Sequence, residues 1–240
     1  MIAREQQQQQ PTQPTIAGEA CVSASPFLFF NADNKEIMKQ YPDKYFDLAI
    51  VDPPYGIGAN KMTLGNGKKK IYRGENDWDS IIPNAEYFNE LFRISKNQVV
   101  WGGNYMTEHL PPKSSWLFWD KGTGSNDFAD GELAWTSFGG ALRKIDKSWV
   151  GANAKDESER IHPTQKPIYL YGWILSKYAK HGYKIIDTHL GSGSIALAID
   201  KANKLDNMNL EFVGIELDTE YFNAAVNRFR LAHAQSCLSF

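Results

Sequence analysis

Short apolar runs alternate with amphipathic stretches of helical period along most of this chain, and this alternation constrains the fold more than any other feature. The runs at residues 47–51 and 184–187 are typical of strands that are buried on both faces. Strands that alternate with helices need right-handed crossover connections. We therefore predict an α/β fold with a doubly wound, mostly parallel sheet.

The periodicity also predicts where polar groups meet. Strands are expected at residues 27–30, 47–51, 98–101, 115–119, 132–138, 184–187 and 212–216. Helices are expected at 35–41, 84–95 and 167–180. A further helix should follow the glycines at 191 and 193 and end at 201, and the last should run from 218 to about 232, with Asp218 as its cap. Polar clusters follow three strands, at Asp52, at Asp187 to Gly193 and at Glu216. Because ligands bind beyond the carboxyl ends of parallel strands, these clusters should converge.

Length and composition predict a single domain. The chain has 240 residues, 42% of them hydrophobic, which suits one domain with an insertion and excludes wholesale disorder. Gln6 to Gln10 lie in a Gln/Pro-rich tract, so we predict a disordered tail over residues 1–20 and a single domain over 21–240.

Charge and cysteine usage restrict the possible partners. The 26 basic and 28 acidic residues give a net charge of −2, so any nucleic-acid surface must be a local patch. Cys21 and Cys237 form no metal-binding or disulfide pattern, and we predict no metal site. Without an apolar stretch long enough for a bilayer or a signal peptide, we expect a soluble, cytoplasmic protein with no membrane partner.

A glycine loop links the strand at 184–187 to the next helix. Gly191 and Gly193 allow a ligand to approach the backbone and the helix N-terminus. Glu216 ends the following strand, where a carboxylate can accept hydrogen bonds from both hydroxyls of a ribose. A tight turn with a solvated carboxylate would explain the same residues, but the order of elements favours a nucleoside cofactor.

The segment Asp52-Pro53-Pro54-Tyr55 predicts an acceptor-rich pocket. Two prolines stiffen the chain and remove two N–H donors, which leaves carbonyls, a carboxylate and an aromatic ring. Asp52 and the Pro53 carbonyl can accept both protons of an exocyclic amine, while Tyr55 can stack on its ring. A rigid turn with a buried tyrosine is the structural alternative.

These residues, with His162-Pro163-Thr164-Gln165-Lys166-Pro167, the glycine loop and Gly214-Ile215-Glu216, resemble the S-adenosylmethionine-dependent DNA amino-methyltransferases. The tetrapeptide precedes the glycine loop, as in their permuted β class. The resemblance spans about residues 27–230 and implies a permuted Rossmann-like methyltransferase fold, with target-recognition elements inserted within about residues 56–160.

The resemblance also implies roles for individual residues. Asp52 and Pro53 would grip the target amine, Pro54 completes the turn, and Tyr55 would stack on the base. Asp33 would contact the adenine of the cofactor, Glu216 its ribose, and Thr164 with Lys166 its methionine carboxylate. The cofactor-binding set as a whole is Asp33, Asp52, Thr164, Lys166, Asp187, Gly191, Gly193 and Glu216.

Two positions depart from the family pattern. Thr188 and His189 replace a Pro and a Phe, which affects the expected cofactor affinity more than the fold. His162 is interpreted as structural, Trp101 to Asn104 as a turn, and the tryptophans at 116, 119 and 135 as core residues.

The residue types indicate the reaction. An aromatic amine is a poor nucleophile, so accepting its protons should favour an attacking geometry, without a cysteine nucleophile. A base stacked in a duplex cannot reach such a pocket, so base flipping is implied. Basic residues after the tetrapeptide form either a solvated loop or a phosphate-binding loop on double-stranded DNA. They are Lys61, Lys68, Lys69, Lys70 and Arg73.

The sequence therefore favours a β-class DNA adenine-N6 methyltransferase. Cytosine-N4 methylation is the alternative, since both amines fit the same acceptors, and an RNA methyltransferase is a weaker one. A regulator without catalytic activity would need a damaged tetrapeptide, and a nicotinamide oxidoreductase leaves that tetrapeptide unexplained. No restriction nuclease is identifiable, which by analogy indicates an orphan, phage-like enzyme. A homodimer is common in the class and stays open.

Overall fold

The computed structural model describes residues 20–58, 82–122, 129–146, 161–162 and 164–237. Its strands are β1 Ala20–Ala24, β2 Phe27–Asn31, β3 Phe46–Val51, β4 Ser95–Trp101, β5 Trp116–Asp120, β6 Gly131–Thr136, β7 Arg143–Asp146, β8 Lys184–Asp187 and β9 Glu211–Glu216. Its α-helices are α1 Asn34–Met38, α2 Ala85–Ile94, α3 Ile168–Tyr178, α4 Ser194–Asp206 and α5 Thr219–Cys237, and a 3-10 turn covers Gly103–Tyr105.

The strands of the described residues form one mixed sheet in the order β1-β2-β9-β8-β3-β4-β6-β5-β7. The five central strands, β2-β9-β8-β3-β4, are parallel, as the sequence predicts. β1 pairs antiparallel with β2 at one edge, and β6 pairs antiparallel with both β4 and β5 towards the other. The prediction of an α/β fold is confirmed, with antiparallel additions on both sides of the parallel centre.

Helices cover both faces of the sheet. Buried residues of α3, α4 and α5, such as Leu170, Ile199 and Phe229, pack in one cluster against the sheet. Buried residues of α1 and α2, such as Ile37 and Leu91, pack in a second cluster with other strand residues. Strands between two such layers must be apolar on both faces, which explains the continuous apolar runs of β3 and β8.

Two helices begin where polar side chains satisfy free backbone donors. The Asn84 side chain accepts a hydrogen bond from the Tyr87 N–H at 3.3 Å and caps α2. Asp218 Oδ1 accepts from the N–H groups of Glu220 and Tyr221 at 2.9 and 3.1 Å and caps α5, as predicted.

Some expectations of organisation differ from the structure or lie outside it. β1 and β7 were not expected from the sequence pattern. The range 56–160, where target-recognition elements are expected, also contains α2 and β4, which belong to the central fold. Residues 1–19 of the expected tail lie outside the described residues. None of the described helices combines the length and apolar character needed to cross a bilayer.

Candidate active site

A cavity of about 340 Å³ lies beyond the carboxyl ends of the central parallel strands. Its lining comes from the residues that follow β2, β3, β8 and β9, as the predicted convergence requires. The site residues expected from the sequence that line it are Asp33, Asp52, Pro54, Thr164, Lys166, Gly191 and Glu216. The other described ones, Pro53, Tyr55, Asp187 and Gly193, adjoin lining residues in sequence and do not themselves line this cavity.

Asp52 is the residue directly after β3, and both of its carboxylate oxygens are hydrogen bonded. Oδ1 accepts the Tyr55 hydroxyl at 2.7 Å, and Oδ2 accepts the Lys166 ammonium at 2.5 Å. The stiff Pro53-Pro54 turn returns Tyr55 towards Asp52, three residues earlier. The carboxylate is therefore fixed in direction at the wall of the cavity.

Lys166 is buried, with 2% of its side chain exposed, and has three oxygen acceptors. They are Asp52 Oδ2 at 2.5 Å, Glu132 Oε2 at 3.1 Å and the Tyr55 hydroxyl at 3.1 Å. An ammonium has three protons, so these acceptors satisfy it. The role of Lys166 towards a methionine carboxylate stays a prediction, whereas its contacts in the structure join Asp52 and Tyr55 to Glu132.

Charge pairing sets the ionisation of this cluster. Burial raises the pKa of Asp52, and the ammonium of Lys166 opposes this shift. Burial would also raise the pKa of Glu132, but the ammonium groups of Lys166 and Lys121 outweigh it and lower the pKa to about 2. Burial alone would lower the pKa of Lys166, but the two carboxylates raise it. Lys166 is therefore a cation held between two carboxylates.

Tyr55 has little freedom in this site. The Tyr105 ring stacks on it with centroids 5.2 Å apart and planes at 16°. A Cβ atom on Gly102 would come within 2.1 Å of Tyr55 Cε1, so only glycine leaves room for the ring. The segment at 101–104, expected as a plain turn, therefore also packs against the predicted stacking residue.

The glycine loop and Glu216 are joined directly. Glu216 Oε2 accepts the Gly191 N–H at 2.8 Å, and Oε1 accepts the Asp218 N–H at 3.0 Å. Burial raises the pKa of Glu216 to about 7, while these backbone donors oppose the shift. Gly193 has a φ of +69°, and a Cβ there would lie 3.2 Å from the Ala225 Cβ, so it allows α4 to pack on α5.

His189 takes the position of the family's aromatic residue and adds hydrogen bonds. Its Nε2 lies 3.1 Å from Asn34 Nδ2, its Nδ1 lies 3.0 Å from Thr188 Oγ1, and its ring meets the Tyr87 ring edge-on. Burial lowers the pKa of His189 to about 3, so the ring is neutral. Asp187 Oδ1 accepts the His189 N–H at 3.0 Å, and burial raises the pKa of Asp187.

The described part of the HPTQKP segment contributes two further side chains to the lining, those of His162 and Gln165. Thr164 Oγ1 lies 3.1 Å from His162 Nδ1, consistent with a structural role for that histidine. Gln165 Oε1 accepts the Ile161 N–H at 3.0 Å. Its Nε2 is buried and has no hydrogen-bond partner among the described residues. The segment thus offers a donor beside the cavity.

Asp33 and Asn34 form the wall that follows β2. Asp33 Oδ1 accepts the Lys35 N–H at 2.8 Å and caps α1. Asn34 Nδ2 donates to the Thr188 carbonyl at 3.2 Å as well as contacting His189, so its carbonyl oxygen stays available as an acceptor.

Sequence reasoning missed Glu132, and five expected residues cannot be compared with the structure. Glu132 is the second residue of β6, and no local motif marks it. The expected DNA-binding residues lie outside the described residues. They are Lys61, Lys68, Lys69, Lys70 and Arg73.

Comparisons with known proteins show the family to which the chain belongs. The chain matches the N6_N4_Mtase family, described as DNA methylase, over residues 99–227. It is 31% identical over 253 residues to the type II methyltransferase M2.DpnII of Streptococcus pneumoniae, covering 84% of this chain and 88% of that protein. This chain therefore belongs to the DNA methylase family, as its motifs indicated.

Solved structures share the fold. The M1.HpyAVI–SAM complex has a TM-score of 0.53 at 20% identity, over 84% of this chain and 98% of that one. The PvuII DNA methyltransferase, described as cytosine-N4-specific, has a TM-score of 0.53 at 15% identity, over 86% and 87%. The expectation of a methyltransferase fold is confirmed.

Proposed function

We propose that this chain transfers a methyl group from S-adenosylmethionine to the exocyclic N6 amine of a flipped adenine in double-stranded DNA. The observation that carries the proposal is the Asp52 carboxylate, held at the cavity wall after β3 and facing the same space as Gly191 and Glu216. Family membership supports DNA methylation as the reaction, and the naming of the M1.HpyAVI complex supports S-adenosylmethionine as the cofactor.

The residues around the cavity fit this cofactor. Glu216 has lone pairs left on both oxygens after accepting two backbone N–H groups, so it can accept the ribose hydroxyls. The free carbonyl of Asn34 and the carboxylate of Asp33 can accept an adenine amine. The buried Gln165 Nε2 is a donor that needs an acceptor, which the methionine carboxylate offers, together with the predicted partners Thr164 and Lys166.

The remaining residues of the cofactor-binding set are two glycines and Asp187, which shape the backbone around this pocket. Gly191 adopts a φ of +51° and directs its N–H to Glu216, so the loop backbone can lie close to the ligand. Gly193 allows the close packing of α4, and Asp187 holds the backbone of His189. S-adenosylmethionine, when bound, supplies a methyl group on a positively charged sulfur.

Asp52 and Pro53 act on the target amine. Asp52 and the Pro53 carbonyl accept hydrogen bonds from its two N–H groups, which weakens conjugation of the nitrogen lone pair with the ring and turns that lone pair towards the methyl group. Because burial raises the pKa of Asp52, this carboxylate is a better proton acceptor than an exposed one. Alignment of the amine and exclusion of water account for most of the rate.

DNA must deliver the base to this pocket from outside. The base is flipped out of the duplex, and Tyr55 with the adjoining Tyr105 offers aromatic surface for it. Lys61, Lys68, Lys69, Lys70 and Arg73 follow the catalytic turn in sequence and supply phosphate contacts that do not depend on base sequence.

Nucleoside mass spectrometry of DNA tests the choice of base. DNA from cells expressing the wild-type chain should contain N6-methyladenine above the level in cells with an empty vector. If the DNA contains new N4-methylcytosine instead, the proposed site stands and the target base is cytosine, not adenine. No methylated base in DNA, together with methylated nucleosides in RNA from the same cells, would overturn the proposed substrate.

A further inference from the structure

Glu132 is a charged group of the site that the proposed methyl transfer leaves without a role. It lies in β6, which runs antiparallel to β4, so its position near the start of β6 brings it to the carboxyl edge of the parallel strands. Its side chain is 22% exposed and forms ion pairs with Lys121 at 2.5 Å and Lys166 at 3.1 Å. Glu132 does not line the cavity, and it is linked to Asp52 through Lys166 and through the Tyr55 hydroxyl, which donates to Glu132 Oε2 at 3.4 Å.

The charges of this cluster balance. Two carboxylates, Asp52 and Glu132, face two ammonium groups, Lys166 and Lys121. Lys166 is shared, because one nitrogen contacts an oxygen of each carboxylate. In a buried site, removing one partner of such a network leaves an uncompensated charge.

This sharing matters because Asp52 is occupied before substrate arrives. Its Oδ1 holds the Tyr55 hydroxyl and its Oδ2 holds Lys166 at 2.5 Å. An Asp52 oxygen that already holds the Lys166 ammonium at 2.5 Å is a weaker acceptor for a further N–H, so Asp52 accepts a target amine best when its contact with Lys166 weakens. For a buried ammonium that gives up part of one carboxylate, a second carboxylate within reach reduces the cost.

We propose that Glu132 is a positioning residue, an inference that rests on the proposed function. When Asp52 accepts the target amine, Glu132 pairs with the Lys166 ammonium. Asp52 is then available to the amine while Lys166 stays charged. Lys121 fixes Glu132 from the other side. Asp52, Tyr55 and Lys121 are the ionisable groups that face the Glu132–Lys166 pair, and burial together with the Asp52 carboxylate raises the pKa of Asp187 at the end of β8. Glu132 thus acts through Lys166.

The first measurement needs neither cofactor nor DNA. Trace acylation of Lys166 by acetic anhydride, followed by peptide mass spectrometry, reports the fraction of neutral amine. In Glu132→Gln this rate should rise about tenfold, because the ammonium loses one carboxylate. In Lys121→Gln the acylation rate of Lys166 should fall, because Lys121 no longer competes for Glu132 and the carboxylate pairs with Lys166 alone. Opposite signs exclude a mere change in access.

The second measurement is steady-state methyl transfer to DNA. Glu132→Gln should lower kcat about tenfold or more, while the KM for DNA stays within about threefold. In a Lys166→Met background, Glu132→Gln should cause no further loss, because its effect passes through Lys166. The matched control is Glu90→Gln, which removes an ion-paired carboxylate of the same 22% exposure on α2 and should change nothing.

Two results would overturn the inference: unchanged Lys166 acylation in both variants, or a kcat for Glu132→Gln equal to that of Glu90→Gln. If Glu132→Gln does not fold, as judged by thermal melting, the Lys121→Gln acylation rate decides alone. A wild-type chain that transfers no methyl group to DNA overturns the proposed function instead, and that failure appears in a different measurement from the acylation result.

Discussion

The ring of Tyr55 lies directly against Gly102, so that a Cβ on this glycine would come within 2.1 Å of Tyr55 Cε1. Gly102 follows β4, whereas Tyr55 follows β3, and the two strands are neighbours in the sheet. The Tyr55 hydroxyl in turn donates a hydrogen bond to Asp52. The close approach of two strand ends therefore fixes the orientation of the Asp52 carboxylate.

Replacing Gly102 should damage the site specifically. Gly102→Ala must displace Tyr55 and, with it, the hydrogen bond to Asp52, so we expect kcat to fall about a hundredfold. The substitution also places alanine at a φ of +64°, which costs about 1 to 2 kcal/mol of folding stability. Steady-state kinetics and thermal melting measure the two effects.

The variant Gly182→Ala separates the effect on stability from the effect on activity. Gly182 has a φ of +75° with open space around it and lies at the opposite end of the sheet. This control should lose a similar amount of stability and keep full activity. Equal activity of the two variants would show that Tyr55 tolerates displacement.

Cofactor affinity should depend on pH through Glu216. Its pKa of about 7 means that the ionised fraction falls from about 0.9 at pH 8 to about 0.1 at pH 6. Because the ionised carboxylate accepts the ribose hydroxyls best, the Kd for S-adenosylmethionine should rise about tenfold over this range. Calorimetric titration at several pH values measures it. Glu216→Gln should bind weakly with little pH dependence, and a steep dependence in that variant would assign the effect elsewhere.

His189→Phe should restore the family's aromatic residue at a loss of stability. The ring could still pack on Tyr87, but the hydrogen bonds to Asn34 and Thr188 disappear. At about 1 kcal/mol each, the loss is about 2 kcal/mol, or a melting temperature lower by about 4 to 8 °C. His181→Phe, at an exposed position, serves as the control. A variant as stable as the wild type would mean that these hydrogen bonds contribute nothing.

The basic segment should govern the salt dependence of DNA binding. If Lys68, Lys69 and Lys70 each contact a phosphate, replacing all three with Gln lowers the slope of log K against log salt by about 2.7. Fluorescence anisotropy at several salt concentrations measures this slope. Control substitutions belong on exposed lysines of the helical layer, at Lys177, Lys180 and Lys201. An unchanged slope in the first variant would remove these lysines from the interface.

The sequence predicts the parallel centre of the sheet and the residues that follow its strands. Asp52 and Glu216 could be expected at one edge because parallel strands share the direction of their carboxyl ends. The helix cap at Asp218 could also be predicted, because capping depends on residues only two and three positions away. These features depend on local pattern and on a general rule of topology.

The position of Glu132 and the contacts of Lys166 could not be predicted from local sequence pattern or from the general topology rule. Glu132 reaches the site because β6 pairs antiparallel with β4, and local alternation does not tell which strand a segment will pair with. Lys166 lies in a recognisable motif, but the partner of a long side chain depends on residues distant in sequence. β7, at Arg143–Asp146, was missed because four residues with three charges carry no alternating apolar pattern.

Transfer of a labelled methyl group by purified wild-type protein and Asp52→Ala, under single-turnover conditions, tests the central claim most directly. The account predicts a labelled amine on the DNA base for the wild type, and a rate at least about a hundredfold lower for the variant. Thermal melting must show that the variant is folded. A folded Asp52→Ala variant that methylates DNA at the wild-type rate would contradict the assignment of Asp52 as the residue that grips the target amine.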